Sequence, residues 1–103
     1  MPRDLVIDLD QIDISQVVYD AQAIEQVNPQ RGDMRHLDGI CFAELEGRWG
    51  LAAVGFKDCR ADEFWVPGHI PGRPLLPGVL MIECAAQLAA FMIKKFREEM
   101  GFL

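Results

Sequence analysis

The sequence predicts an α+β fold, in which a short antiparallel sheet packs on one long helix. Three observations predict it. Two β-compatible runs flank a Glu-Gly-Arg turn, a segment crowded with proline and glycine follows, and an apolar stretch at three- and four-residue spacing comes after that. At 103 residues, half of them hydrophobic and a quarter charged, the chain holds one domain at most, with a modest core.

Taken in order, Leu5-Val6-Ile7 is a candidate short strand, and Asp8, Asp10 and Asp13 break any helical stripe beyond it. Asp20 is placed to cap a short helix carrying Ala23, Ile24 and Val27, which Asn28-Pro29 ends. Residues 40–45 (Ile-Cys-Phe-Ala-Glu-Leu) and 49–56 (Trp-Gly-Leu-Ala-Ala-Val-Gly-Phe) read as strands. Glu46-Gly47-Arg48 suits a tight hairpin turn with positive φ at Gly47. Gly50, Ala52, Ala53 and Gly55 make the second strand one that a neighbour approaches closely.

The loop that follows carries Pro67, Gly68, Pro71, Gly72, Pro74, Pro77 and Gly78. Prolines at this density fix φ repeatedly and give a rigid, irregular path. From Gly78 the spacing of Val79, Ile82, Ala86, Ala89, Ala90 and Ile93 predicts a helix to about Glu99, stopping at Gly101, with Pro77 in the first-turn position. Its middle is apolar nearly all round, which implies burial on most sides, and its alanines let neighbouring backbone approach. Two strands cannot wrap such a helix, so further strands are expected from elsewhere.

The formal net charge of −6 argues against a nucleic-acid partner, and docking to an acidic partner would need a local basic patch. Met1-Pro2-Arg3-Asp4-Leu5 lacks the charged-then-apolar pattern of a secretory signal. The longest apolar-rich stretch, Val79 to Ile93, is interrupted by Glu83 and Gln87 and falls short of a bilayer span. Cys41, Cys59 and Cys84, odd in number and widely spaced, suit reduced, buried thiols in a cytoplasmic protein.

His69, in Gly68-His69-Ile70-Pro71-Gly72, is either a turn histidine bonded to backbone or an acid–base group aimed by a rigid loop. Glu83 lies early in the helix, with uncharged neighbours at Val79, Leu80, Ala86 and Gln87. If it does not simply face solvent, its carboxyl should be raised toward the range of a general acid. Gln87, one turn later, can orient it or satisfy a backbone group. Gly78 opens the helix, where unpaired N–H groups suit a carbonyl oxygen that gains charge, unless it serves helix entry alone.

His36 has no second ligand nearby and reads as surface or packing. Arg31-Gly32-Asp33 is a chance tripeptide, Cys84 a packing thiol, and Lys94, Lys95 and Arg97 a solvated helix end with a Lys95–Glu99 pair.

The run from Gly68 through His69-Ile70-Pro71-Gly72-Arg73-Pro74-Leu75-Leu76-Pro77-Gly78-Val79-Leu80-Met81-Ile82 to Glu83, continuing through Ala85, Ala86 and Gln87, resembles the signature of β-hydroxyacyl-ACP dehydratases of the FabZ type. Residues 37–57 look like that family's first hairpin, and Asn28-Pro29-Gln30-Arg31 echoes its Pro-His-Arg element with Gln30 in place of the histidine. The resemblance covers roughly residues 24–95, and Ile70 stands where the family usually has phenylalanine.

The resemblance implies a hot-dog fold, an antiparallel sheet wrapped around a long central helix. It also implies a homodimer, or higher homo-oligomer, with active sites at the subunit interface. His69 of one copy would remove the α-proton of a 3-hydroxyacyl thioester, and Glu83 of the other would protonate the departing β-hydroxyl. Gly78 N–H would hold the thioester carbonyl, Gln87 would help position the acid, and Val79 and Ile70 would border the substrate.

No metal or redox cofactor is implied, and glutamate rather than aspartate in the helix favours dehydration without isomerisation. The partner implied is an acyl-carrier protein, for which Arg73, Lys94 and Lys95 are the basic candidates; coenzyme A is the other possible carrier. Against the family pattern the chain is expected to be a partial hot-dog domain over residues 1–103, lacking the strands beyond the central helix. A non-catalytic acyl-binding hot-dog subunit, and less so a hot-dog thioesterase, are the alternatives.

Overall fold

The structure, a computed structural model, describes residues 6–73 and 75–100. Two strands, β1 (Gly39–Glu44) and β2 (Ala52–Phe56), pair antiparallel, with Gly39 opposite Phe56 and Glu44 opposite Ala52. The register shifts between Ile40 and Phe42, so Cys41 is the extra residue of a bulge. On the other edge of β1, Tyr19 bridges Ile40: the Tyr19 and Val18 N–H groups donate to the Ile40 carbonyl at 3.2 and 2.8 Å, and the Ile40 N–H returns a bond to the Tyr19 carbonyl at 2.9 Å. Helix α1 (Ala21–Val27) follows directly, its start capped by the Asp20 carboxylate on the Ala23 N–H at 2.9 Å. The long helix α2 (Gly78–Met100) crosses this sheet.

The core lies where α1, β1 and α2 meet: Ile24, Leu37, Ile40, Phe91 and Met92, with Tyr19 stacked at a tilt on Phe91, ring centroids 4.9 Å apart. Gly55 explains why the second strand is rich in small residues. A Cβ built there would meet the Leu37 side chain at 2.7 Å and the Gly39 carbonyl at 3.2 Å, with Leu88 of α2 just beyond. Helix and sheet touch because that Cβ is missing.

Several expectations need correction. The candidate strand at Leu5-Val6-Ile7 lies partly outside the described residues. Val6 and Ile7 form a bend, and one 3-10 turn follows over Leu9–Gln11, because the Asp8 carboxylate accepts the Asp10 N–H and closes the chain locally. The hairpin connection is longer than three residues. Gly47 does not have positive φ; Gly50 does, at 76°, and its N–H bonds the Gly47 carbonyl. Trp49 therefore belongs to the connection, where its ring packs edge-on against Phe42.

Cys41 is buried and Cys84 half-buried, but Cys59 is exposed, since it follows the end of β2. Lys95 pairs with Glu98 at 3.2 Å; the side chain of its expected partner, Glu99, lies outside what the structure describes. The expected stop at Gly101 lies outside the described residues.

The largest difference concerns α2, which is buried along one side only. Phe91 and Gln87 are 1% exposed, whereas Val79 and Ile82 are above 70%. Among the described residues the sheet has two strands and covers a single face, so the apolar residues of the opposite face meet solvent.

The polar residue at the centre of the buried side is Gln87. Its Oε1 accepts the backbone N–H groups of His36 (2.9 Å) and Leu37 (3.1 Å). Its Nε2 donates to the Met34 carbonyl and to Glu83 Oε2, both at 2.8 Å. Its own carbonyl accepts from Asn28 Nδ2 at 3.0 Å, which ties the end of α1 to the same turn. The side-chain amide thereby has two acceptor and two donor bonds, its full capacity.

Two stability predictions follow from this packing. Gly55→Val forces Leu37 and Leu88 apart and should lower stability by about 1–3 kcal/mol. Gln87→Leu keeps the volume but leaves two buried N–H groups and a carbonyl unpaired, and should lower it by about 2–4 kcal/mol. Both should appear in urea titrations as a lower midpoint with an unchanged slope.

Candidate active site

The loop carrying His69 is anchored by Trp65, which is buried and whose carbonyl accepts the N–H groups of Gly68 (3.3 Å) and His69 (3.0 Å). Beyond it the chain turns back: the Arg73 N–H bonds the Ile70 carbonyl at 2.9 Å, and Gly72 takes positive φ at 80°. This reversal brings the Leu75 carbonyl to 3.0 Å from His69 Nδ1. A carbonyl only accepts, so the contact requires a proton on Nδ1, and in the neutral ring it leaves Nε2 with the free lone pair. The ring is exposed, with that nitrogen as its basic position.

Glu83 is half-buried on the second turn of α2, with Oε2 held by Gln87 Nε2 at 2.8 Å. Both spacing and chemistry agree at this pair: four residues apart on a helix, the two side chains face each other, and Gln87 is itself fixed by the Met34–Leu37 segment. Cys84, next along α2, points its thiol at the His36 carbonyl at 3.5 Å. Burial pushes that thiol up from its ordinary pKa, with Lys57 opposing, which agrees with a packing role. A mainly apolar groove of about 250 Å³ is lined by Leu37, Gly55, Phe56, Lys57, Cys84, Ala85 and Leu88; Glu83 is not among its lining residues.

Within one chain, His69 and Glu83 stay apart in their bonding: His69 joins Leu75, and Glu83 joins Gln87. Gly78 is exposed at the start of α2, with open space where a Cβ would stand. The Leu80 and Met81 N–H groups bond the Pro77 carbonyl at 3.0 and 3.1 Å, which leaves the Gly78 and Val79 N–H groups ahead of the first turn. Val79 is exposed and Ile70 half-buried.

The basic candidates form no single patch. Arg73 precedes α2, whereas Lys94 and Lys95 lie about 24 Å along it at 1.5 Å per residue. Lys94 donates to the Val27 carbonyl at 3.3 Å, and Lys95 sits over the Tyr19 ring. Arg31, of the Arg-Gly-Asp tripeptide, is occupied with the carbonyls of Glu25, Asn28 and Gln30.

The sequence reading missed how Asn28 and His36 serve the site. Asn28 ends α1 as expected, and it is also 3% exposed and bonded to α2; of the two readings of His36, packing stands, since it is 2% exposed. Around them Arg35 is clamped by Glu25 and Asp38, both at 2.8 Å, and Lys57 pairs with Glu63 at 2.6 Å. Burial alone would raise the Glu63 carboxyl, but Lys57 and the Arg60 N–H outweigh it and hold it below the usual range. No sequence pattern signals such partners, because they lie far from Gln87 along the chain and meet only once α2 docks.

Residues 28–102 match the family model of the FabA-like domain. The chain is 43% identical over 76 residues to the 3-hydroxyacyl-[acyl-carrier-protein] dehydratase FabZ of Desulforamulus reducens, covering 74% of this chain and 51% of that protein. It is 35% identical over 88 residues to the protein of the same name from Thermomicrobium roseum, and 36% over 86 residues to that of Exiguobacterium sibiricum. These matches cover 82% and 84% of this chain, and 56% and 59% of the relatives. The chain thus spans about half the length of the curated relatives it matches. No helix among the described residues is long and apolar enough to cross a membrane. With the matched domain running from the end of α1 through α2, the chain belongs to the FabA-like domain family, and its hairpin and long helix are part of that family's hot-dog fold.

Proposed function

We propose that this chain carries the acid–base residues of a dehydratase that converts 3-hydroxyacyl thioesters to trans-2-enoyl thioesters in fatty acid biosynthesis. The single observation that carries the proposal is that, among the described residues, each reacting side chain has one polar atom tied and one without a partner. His69 is held through Nδ1 by the Leu75 carbonyl, so Nε2 is the base. Glu83 is held through Oε2 by Gln87, so Oε1 is available to carry a proton.

In this reading His69 Nε2 takes the α-proton, and its C–H electron pair forms the new double bond. The β-carbon–oxygen bond breaks as Glu83 delivers its proton, and water leaves. The thioester carbonyl gains charge as the α-proton departs, and the Gly78 N–H at the start of α2 supplies a donor and a helix dipole for it. The elimination is redox-neutral and draws on no cofactor.

His69 of one copy works with Glu83 of another in a homodimer or higher homo-oligomer of a soluble, cytoplasmic enzyme. An acyl-carrier protein brings the thioester, meeting Arg73 at the loop or Lys94 and Lys95 along α2. The apolar groove lined by Cys84, Ala85 and Leu88 of α2 suits the acyl chain, and Ile70 and Val79 would border the substrate. The names of the relatives, each a 3-hydroxyacyl-[acyl-carrier-protein] dehydratase, support the same substrate class. The exposed apolar face of α2 favours a second reading, an acyl-binding subunit that completes another chain's site.

A hydration–dehydration assay that follows enoyl absorbance with a 3-hydroxyacyl thioester separates the two. The dehydratase should turn over, and His69→Ala and Glu83→Gln should each lose about 10²–10⁴ in rate. Normal turnover in either variant overturns the assignment. Thioester binding without turnover in the parent chain supports the second reading, and release of free thiol would indicate a thioesterase.

A further inference from the structure

His36 lies on the segment that Gln87 holds. The residue is 2% exposed, and among the described residues neither of its buried ring nitrogens has a hydrogen-bond partner. The Phe64 ring packs beside it at 6.0 Å. A neutral imidazole sealed without partners is tolerable, whereas an imidazolium in the same place is a buried charge with nothing bonded to it.

Among the described residues, Asp33, Arg35, Arg60 and Asp62 line the same small polar pocket as His36, the Cys84 thiol meets its carbonyl at 3.5 Å, and four charged groups act most strongly on the ring. They are Lys57 from just beyond β2, Glu63 from the loop beyond it, Glu83 from α2 and Asp38 from the ring's own segment. All are engaged elsewhere: Lys57 with Glu63 at 2.6 Å, Asp38 with Arg35 at 2.8 Å and the Asp58 N–H at 2.7 Å, and Glu83 with Gln87 at 2.8 Å. Burial, then the Lys57 ammonium, favour the uncharged ring and outweigh the pull of Glu63, Glu83 and Asp38.

We propose that His36 is an acid-sensitive latch on Gln87. Uncharged, it stays packed and keeps its own N–H and that of Leu37 on Gln87 Oε1. Protonated, it leaves for solvent, breaks both bonds, and frees the amide that holds Glu83. The latch stands on the contacts of this segment alone; only its effect on turnover rests on the dehydratase reading.

The sign follows from linkage. The folded ring is held below its ordinary value of 6.5, so the open state binds the extra proton. The closed state has its full advantage above that pH and loses it as pH falls, by up to about tenfold in the closed-to-open ratio per pH unit until the folded value is passed. From pH 6.5 toward pH 5 this precedes the protonation of ordinary carboxylates.

Amide hydrogen exchange of His36 and Leu37, read by NMR at pH 6.5 and 5.5, tests the proposal without any activity assay. Protection, corrected for intrinsic exchange, should fall by up to about tenfold more in the parent protein than in His36→Leu, which keeps an apolar side chain and cannot charge. Equal pH dependence in the two overturns the latch. Should His36→Leu not fold, the imidazole titration of the parent protein decides by itself. A ring that titrates below 6.5 together with loss of Leu37 protection supports the proposal, and one that titrates at or above 6.5 with Leu37 still protected overturns it.

Discussion

Gln87 sits in the middle of the long helix with its side-chain amide cut off from water, and each of its four bonding positions is filled from a different residue. Three of those bonds run to the Met34–Leu37 segment, about 50 residues away in sequence, and the fourth runs to Glu83. The approach of α2 to the sheet depends on this exchange, because an amide and the backbone groups it meets cannot be buried unless they pair. The tight contact at Gly55, the packing of Leu37 and Leu88, and the seat of α1 through Asn28 all lie around it. One side chain thus joins the fold to the orientation of the candidate acid.

The two candidate catalytic groups reach their geometry by different means. Glu83 is positioned by helix periodicity and by a buried amide, so its placement is as firm as the core. His69 is positioned by a chain reversal in which proline and glycine leave few alternatives, with Trp65 as the buried anchor and the Leu75 carbonyl fixing which nitrogen is free. The first depends on packing, the second on local backbone restriction. A site assembled from two such sources needs neither residue to touch the other within a chain. The apolar face of α2 is left uncovered by the sheet among the described residues, which suits the proposed pairing of copies.

Much of this was legible in the sequence, and where it was not the reasons are physical. The Asp20 cap and the beginning of α2 at Gly78 follow local rules and stand as expected. The hairpin was legible as a pair of strands but not in its connection. There, Trp49 packing on Phe42 and positive φ at Gly50 took the turn away from Gly47. Glu83 and Gln87 could be paired from spacing alone, whereas the segment that fixes Gln87 could not, since long-range pairing leaves no periodic trace. His36 was read as an isolated histidine for the same reason. The burial expected on most sides of α2 goes with the further strands expected from elsewhere, and the two strands among the described residues cover one face.

The most direct test of the central claim is subunit complementation. Chains carrying His69→Ala are mixed with chains carrying Glu83→Gln, dissociated and allowed to reassociate. If each site takes its histidine from one copy and its glutamate from another, every mixed dimer regains one intact site, and random mixing restores about a quarter of the parent rate. If mixed dimers form and the rate stays at the level of the separate variants, the two residues do not make one shared acid–base pair, and a site built across the subunit interface is contradicted.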